Sequence, residues 1–169
     1  SIGIKIPDET IKKLKESYEK NKAAIISAKI RIYADDVLWK NSYAKPTTLT
    51  FLQKYQEDNK TKTNFTDDIY ALAGLPGYTI YKSYDLDKDT AHYDFIVTKS
   101  IKDIVENGTY NSTKYFRIDM GDFLKNAAGT GLAGFQYTSR AYDVNRVLLI
   151  GNDSSNKNKI QLLVVHSKK

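Results

Sequence analysis

Two histidines, one hydroxyl-rich strand and a scatter of cations are the residues of this chain best suited to chemistry. His166 follows the apolar run LLVV and precedes Ser167, Lys168 and Lys169. An imidazole at the end of a rigid strand can act as general acid or base near neutral pH, and lysines beside it attract phosphate. The run Tyr137-Thr138-Ser139-Arg140 is the densest polar cluster on any expected strand. Strand alternation puts Thr138 and Arg140 on one face and Tyr137 and Ser139 on the other. A hydroxyl beside a guanidinium can grip a phosphate and steady an oxyanion. The set suits attack of a 2′-hydroxyl on the adjacent phosphodiester. His166 would be the acid or base, Arg140 with Lys159 or Arg117 would hold the phosphate, and Thr138 or Tyr137 would orient the hydroxyl. Lys168 adds a further substrate-binding cation.

Other stretches offer less. In SYDLDKDTAHYD, Asp85, Asp87 and Asp89 alternate like the start of a calcium loop. That loop needs Gly at its sixth position and Glu at its twelfth, and Thr90 and Ile96 stand there. The stretch therefore predicts an acidic hairpin turn, with His92 at its exit. GTGLAG at 129–134 lacks the Lys-Ser/Thr ending of a phosphate loop and predicts a flexible connection. There is no cysteine, which excludes disulfides, thiolate metal sites and cysteine nucleophiles. No metal site or cofactor is expected.

The elements that must position these groups change character along the chain. IPDETIKKLKESYEK opens a helix, with Ile11, Leu14 and Tyr18 at spacings of three and four. AAIISAKIRIYADDVLWK places Ile26, Ile30, Tyr33 and Val37 on one helical face, widened by Ile25, Ile32 and Trp39. KPTTLTFLQKYQEDN predicts a third helix, and Thr66 caps a short fourth, DDIYALAG. Asp58–Asn64 between them predicts a loop. Beyond Gly77 the period falls to two. YTIYKSYD and HYDFIVTK are expected strands, SIKDIVENG a short helix, KYFRIDM a strand and GDFLKNAAG a helical turn. FQYTSRAYD is another strand, and RVLLIGN and KIQLLVVHS predict a final hairpin of central strands. The expected fold is α+β: about four N-terminal helices packed on a C-terminal antiparallel sheet of about six strands. One domain spans 1–169, with a helical part at 1–75 and a mainly β part at 76–169.

The net charge is +6, distributed unevenly. Residues 1–60 hold 12 basic and 8 acidic side chains, 61–120 hold 7 and 9, and 121–169 hold 7 and 3. Basic ends can face a polyanion while the acidic middle faces elsewhere. Thirteen tyrosines against six phenylalanines is the compositional oddity, since tyrosine favours interfaces and stacks on bases. No apolar run is long enough to span a membrane. The opening Ser1 predicts a processed product or an excised part of a larger protein.

The expected layout of helices before an antiparallel sheet, on a small, basic, cysteine-free chain ending in HSKK, resembles the toxin ribonuclease group that includes barnase, EndoU, colicin and RelE domains. The resemblance is one of architecture, over about residues 60–169, without a shared motif. It implies metal-independent cleavage of structured RNA such as tRNA, on the sheet face. It also implies a cognate immunity protein, and secretion or delivery into a target cell whose cytoplasm is the site of action. The alternative expectation is a non-enzymatic domain of a secreted or surface protein that grips a protein or glycan through tyrosine-rich strands.

Overall fold

The computed structural model describes residues 1–35, 43–47, 49–72, 81–137 and 144–167, with the side chains of Tyr81, Lys82 and Tyr137 left aside. It is mostly β, and the expectation of about four helices over a single sheet is overturned. Among the described residues there are three helices, α1 (Asp8–Asn21), α2 (Asp67–Leu72) and α3 (Thr98–Val105). Nine strands among the same residues form two antiparallel sheets. The first sheet holds β1 (Ile2–Ile4), β7 (Tyr115–Lys125), β3 (Leu49–Glu57) and β4 (Lys60–Phe65) in that order, with β8 (Leu132–Tyr137) paired to the far half of β7. The second runs β5 (Tyr81–Tyr84), β6 (His92–Ile96), β2 (Ile25–Tyr33) and β9 (Gln161–His166). No helix among the described residues is long and apolar enough to cross a membrane.

The segment read as a long buried helix is β2. Ala28, Ile30, Ile32 and Ala34 alternate inward, at 2–3% exposure, with Lys29, Arg31 and Tyr33 between them. Ile26, assigned to the buried helical face, is 61% exposed. Val37 and Trp39 lie outside the described residues. Four isoleucines in nine residues favour the extended chain, where a β-branched side chain packs without crowding a preceding turn. The expected third helix is β3, and the expected loop after it is a tight turn followed by β4. Asp58 and Asn59 both have positive φ, 50° and 59°, as a two-residue hairpin turn requires. GDFLKNAAG does not coil either; it prolongs β7 to Lys125 and turns at Asn126, whose side-chain oxygen accepts the N–H groups of Thr130 and Gly131.

The final hairpin is also corrected. RVLLIGN forms no strand beyond a single bridge from Leu149 to Ala34, and β9 pairs with β2 instead. It is an edge strand, not a central one, and Val165 is 56% exposed. The division into a helical part at 1–75 fails with it, because β1 and β3 pair with β7. The expectations for α1, α2, the short helix at α3, and the β5–β6 hairpin with its acidic turn do match the structure.

The two sheets meet through aromatic rings. Phe51 of β3 stacks on Phe95 of β6 at 4.7 Å and on Phe116 of β7 at 5.0 Å. Ile30, Ile32, Tyr93 and Ile118 extend this core, and α1 and α3 add Ile11, Ile101, Ile104 and Val105. Apolar burial on this scale, at about 25 cal/mol per Å², is the main force holding the sheets together.

A polar cleft around Gln53

Phe51, Gln53 and Tyr55 share one face of β3, since side chains alternate along a strand. Phe51 enters the core, Gln53 lies where α2 and α3 approach, and Tyr55 stands near the strand's end. A cleft of about 480 Å³ opens there, lined by Gln53, Tyr55, Asp67, Asp103, Tyr110 and Lys114 among others. Gln53 is 6% exposed. Its Nε2 donates to Asp67 Oδ1 at 3.1 Å, so its Oε1 faces the other way and has no hydrogen-bond partner among the described residues. A buried acceptor left unmade costs about 1–3 kcal/mol, and because this oxygen is fully enclosed the cost falls on the fold.

The wall around it is built from paired charges. Lys114 Nζ donates to the other oxygen of Asp67, and Lys99 Nζ donates to Asp103. The Tyr110 hydroxyl donates to Asp8 of α1, a bond that pushes the phenol's pKa up. Asp68, beside Asp67, is 1% exposed and turned away toward α3. Its oxygens accept the N–H groups of Lys99 at 2.6 Å and Ser100 at 3.1 Å, and the Ser100 hydroxyl at 2.7 Å. It thus caps the N-terminus of α3 from another helix, where the helix dipole also favours a negative group.

A second polar group lies on the face of β2 and β6 that points away from the core. Asp94, 4% exposed, accepts Arg31 Nε at 2.7 Å, Arg31 Nη2 at 2.8 Å and Lys29 Nζ at 2.6 Å. Beside it, the His92 ring lies between Tyr84, stacked at 4.8 Å, and Tyr33 at 5.3 Å. His92 Nδ1 contacts the Thr90 carbonyl at 2.8 Å; with the proton on Nδ1, Nε2 is the acceptor. Burial pushes the Asp94 carboxyl upward, but the bonds from Arg31 and Lys29 outweigh it and leave its pKa lowered. A lowered folded-state value means that stability is present above about pH 4 and is lost as pH falls through the folded value. Asp94→Asn should therefore flatten the acid limb of stability, measured by urea unfolding at pH 6 and pH 3.

Among the described residues, those expected to form a catalytic set, His166, Lys159 and Arg117, are not brought together. His166 is exposed at the end of β9, opposite Ile25. Lys159 precedes the same strand, in a turn beside Asp153, so at least about 16 Å of extended chain separates the two. Arg117 lies on β7 in the other sheet, and its Nε is 2.6 Å from Asp119. It points away from the face that carries Phe116 and Ile118. Tyr137 ends the described part of β8, opposite Gly121, and only its backbone is described. Thr138, Arg140 and Lys168 fall outside the described residues. Gln53, Asp103 and Lys114 were not singled out from sequence, and Asp67 only as part of the acidic first turn of its helix. The available signal was a glutamine between Phe51 and Tyr55 on one strand face, visible only once that stretch is read with period two.

Another concavity is apolar, about 370 Å³, between the edge strands β1 and β9, with Ile4, Ile32 and Leu162 in its walls. No protein-family model, curated protein or solved structure matches this chain.

Proposed function

We propose that this is a non-enzymatic binding domain of a secreted or surface protein, and that its ligand seats in the Gln53 cleft. A polar concavity that brings Tyr55 and Tyr110 together beside the paired charges of Asp67 and Lys114 carries the reading. The competing reading is the metal-independent ribonuclease toxin domain with an immunity partner. One observation favours it: strand alternation puts His92 on the face of the β2–β6 pair that carries Asp94, Arg31 and Lys29. Both cations, however, already bind Asp94.

Two measurements separate the readings. A ligand at a hundred times its Kd stabilises the folded chain by about 2.7 kcal/mol, so a thermal-shift screen with surface glycans and short peptides should raise Tm by about 5–10 °C. That rise should shrink in Tyr110→Ala, at an exposed residue of the cleft wall. Incubation with total tRNA should leave the RNA intact. Cleavage abolished by His92→Gln or His166→Ala would overturn the binding reading.

A further inference from the structure

We propose that β9 is an interface between two copies of this chain, its free edge pairing antiparallel with β9 of the second copy across a two-fold axis. The inference is separate from the cleft and does not depend on it. β9 is the last strand of its sheet, bonded to β2 on one side. The bonds of β2 show which of its groups remain on the other side. The Ala28 N–H donates to Thr98 Oγ1 at 3.0 Å, and the Ala28 carbonyl accepts the Val97 N–H at 3.0 Å. Ala28 thus directs both groups away from β9, so Val164, directly opposite it, belongs to a non-hydrogen-bonded pair. The Val164 N–H and C=O therefore point away from β2, and alternation gives Leu162 the same direction. At the strand's end, the Ile25 N–H donates to Glu106 and its carbonyl accepts Lys102 Nζ, while the Ser167 N–H donates to the Ala24 carbonyl. His166, opposite Ile25, accordingly turns its groups outward too. The N–H and C=O of these three residues have no backbone partner among the described residues.

An unpaired edge is a template for another strand, and folded proteins blunt it with shortness, lysine, proline or a bulge. The other described edges are blunted in these ways. β1 has three residues and β5 four, β4 carries Lys60 and Lys62, and β8 is interrupted by Gly134 beside a register shift. β9 is different. QLLVVH has six residues, with no lysine, proline or glycine, and the register shift in its pairing lies on the β2 side.

A second copy fits this edge because the edge is complementary to itself. With the axis at Val164, Val164 meets its own counterpart and Leu162 meets His166 of the other copy, so every outward group finds a partner. Residues opposite each other in an antiparallel pair share a face, which sets Leu163 against Val165 of the other copy on the outer surface. Val165 is 56% exposed there, and Ile26, at the register shift beside it, is 61% exposed. The two-fold thus covers apolar side chains that water now touches. No acid, lysine or arginine lies on the strand, so no like charges of that kind face each other along it. The β5-β6-β2-β9 sheets of the two copies then run on as one sheet.

The test is the mass of the whole chain in solution, by light scattering after size exclusion. Salt at about 0.15 M screens the repulsion between two chains of charge +6. At about 100 μM chain, a Kd of about 10 μM leaves roughly four-fifths of the copies paired. The expected mass is then close to twice the 19.2 kDa of one chain, and it falls toward that value on dilution. Val165→Lys, at an exposed position, sets an ammonium against Leu163 of the other copy and should raise the dimer Kd at least about tenfold. A circular dichroism melt reports whether the variant folds. Hydrogen exchange on the unaltered chain is the second readout. The amides of Leu162, Val164 and His166 should gain protection as chain concentration rises, while those of Leu163 and Val165, already directed at β2, change little. A wild-type chain that stays monomeric at about 100 μM overturns the proposal. So does a dimer that persists unchanged in folded Val165→Lys, or one in which the Leu162 and Val164 amides gain no protection.

Discussion

Phe51→Ala should destabilise the protein by about 4 kcal/mol, near the middle of the range for emptying a buried aromatic site. Phe51 is 0% exposed and sits between Phe95 of one sheet and Phe116 of the other. Its removal deletes two ring contacts, each worth about 0.5–1.5 kcal/mol beyond area burial. It also leaves a void that neither sheet can collapse into, since β3 is hydrogen-bonded on both sides, to β7 and to β4. Urea unfolding at neutral pH gives the number, and the matching fall in Tm is about 8–16 °C for a chain of this size. Phe51→Leu keeps most of the volume and should lose much less. A loss below about 1 kcal/mol in Phe51→Ala would mean that this ring does not join the sheets.

The strand that carries Phe51 was the hardest to read from sequence, for a physical reason. Leu49, Thr50, Phe51 and Leu52 are all buried, so both faces of β3 are covered at that end and alternation disappears. Leu49, Leu52 and Tyr55 then fall at helical spacing by coincidence. β2 misleads differently. Residues four apart share a face in a strand as well as in a helix, so Ile26 and Ile30 fit both patterns. The discriminating positions were Ala28 and Ile32, two residues either side of Ile30, together with the β-branched content. β4, KTKTNF, has no buried residue and so carries no hydrophobic signal. Where one face is wet and the other dry, the reading succeeds, as in α1 and in β6 with Tyr93 and Phe95 inward. The candidate site was less legible than the fold. Its tyrosines and charges come from elements far apart in sequence: Tyr55, Asp67, Asp103, Tyr110 and Lys114. Asp67 and Asp68 were visible as the acidic first turn of α2, but not the division of labour between them, one toward the cleft and one toward α3.

That division makes Asp68→Ala the second large effect, at about 3 kcal/mol. The substitution strips the acceptor from the N–H groups of Lys99 and Ser100 and from the Ser100 hydroxyl, in a place where Ser100 itself is 1% exposed. Buried donors without partners cost about 1–3 kcal/mol each, and water entering the space left by the carboxylate offsets part of the sum. Asp68→Asn does not rescue fully, because one of its two side-chain ends donates and would face a donor of α3. The pH dependence separates this carboxyl from Asp94. Burial pushes the Asp68 pKa up, against the hydrogen bonds from Ser100 and Lys99. With the folded value raised, the unfolded chain gives up this proton first. The group's contribution is therefore greatest below about pH 4 and declines as pH rises through the folded value, the reverse of Asp94. The difference in unfolding free energy between wild type and Asp68→Ala should thus widen from pH 7 to pH 4. The same variant tests the link to the site, since α3 carries Ser100, Asp103 and Ile104 into the cleft wall. Loosening its first turn should weaken ligand retention while the chain remains folded. A gap that narrows toward pH 4 would show instead that Asp68 acts in the fold as an ionised cap with no net effect of burial.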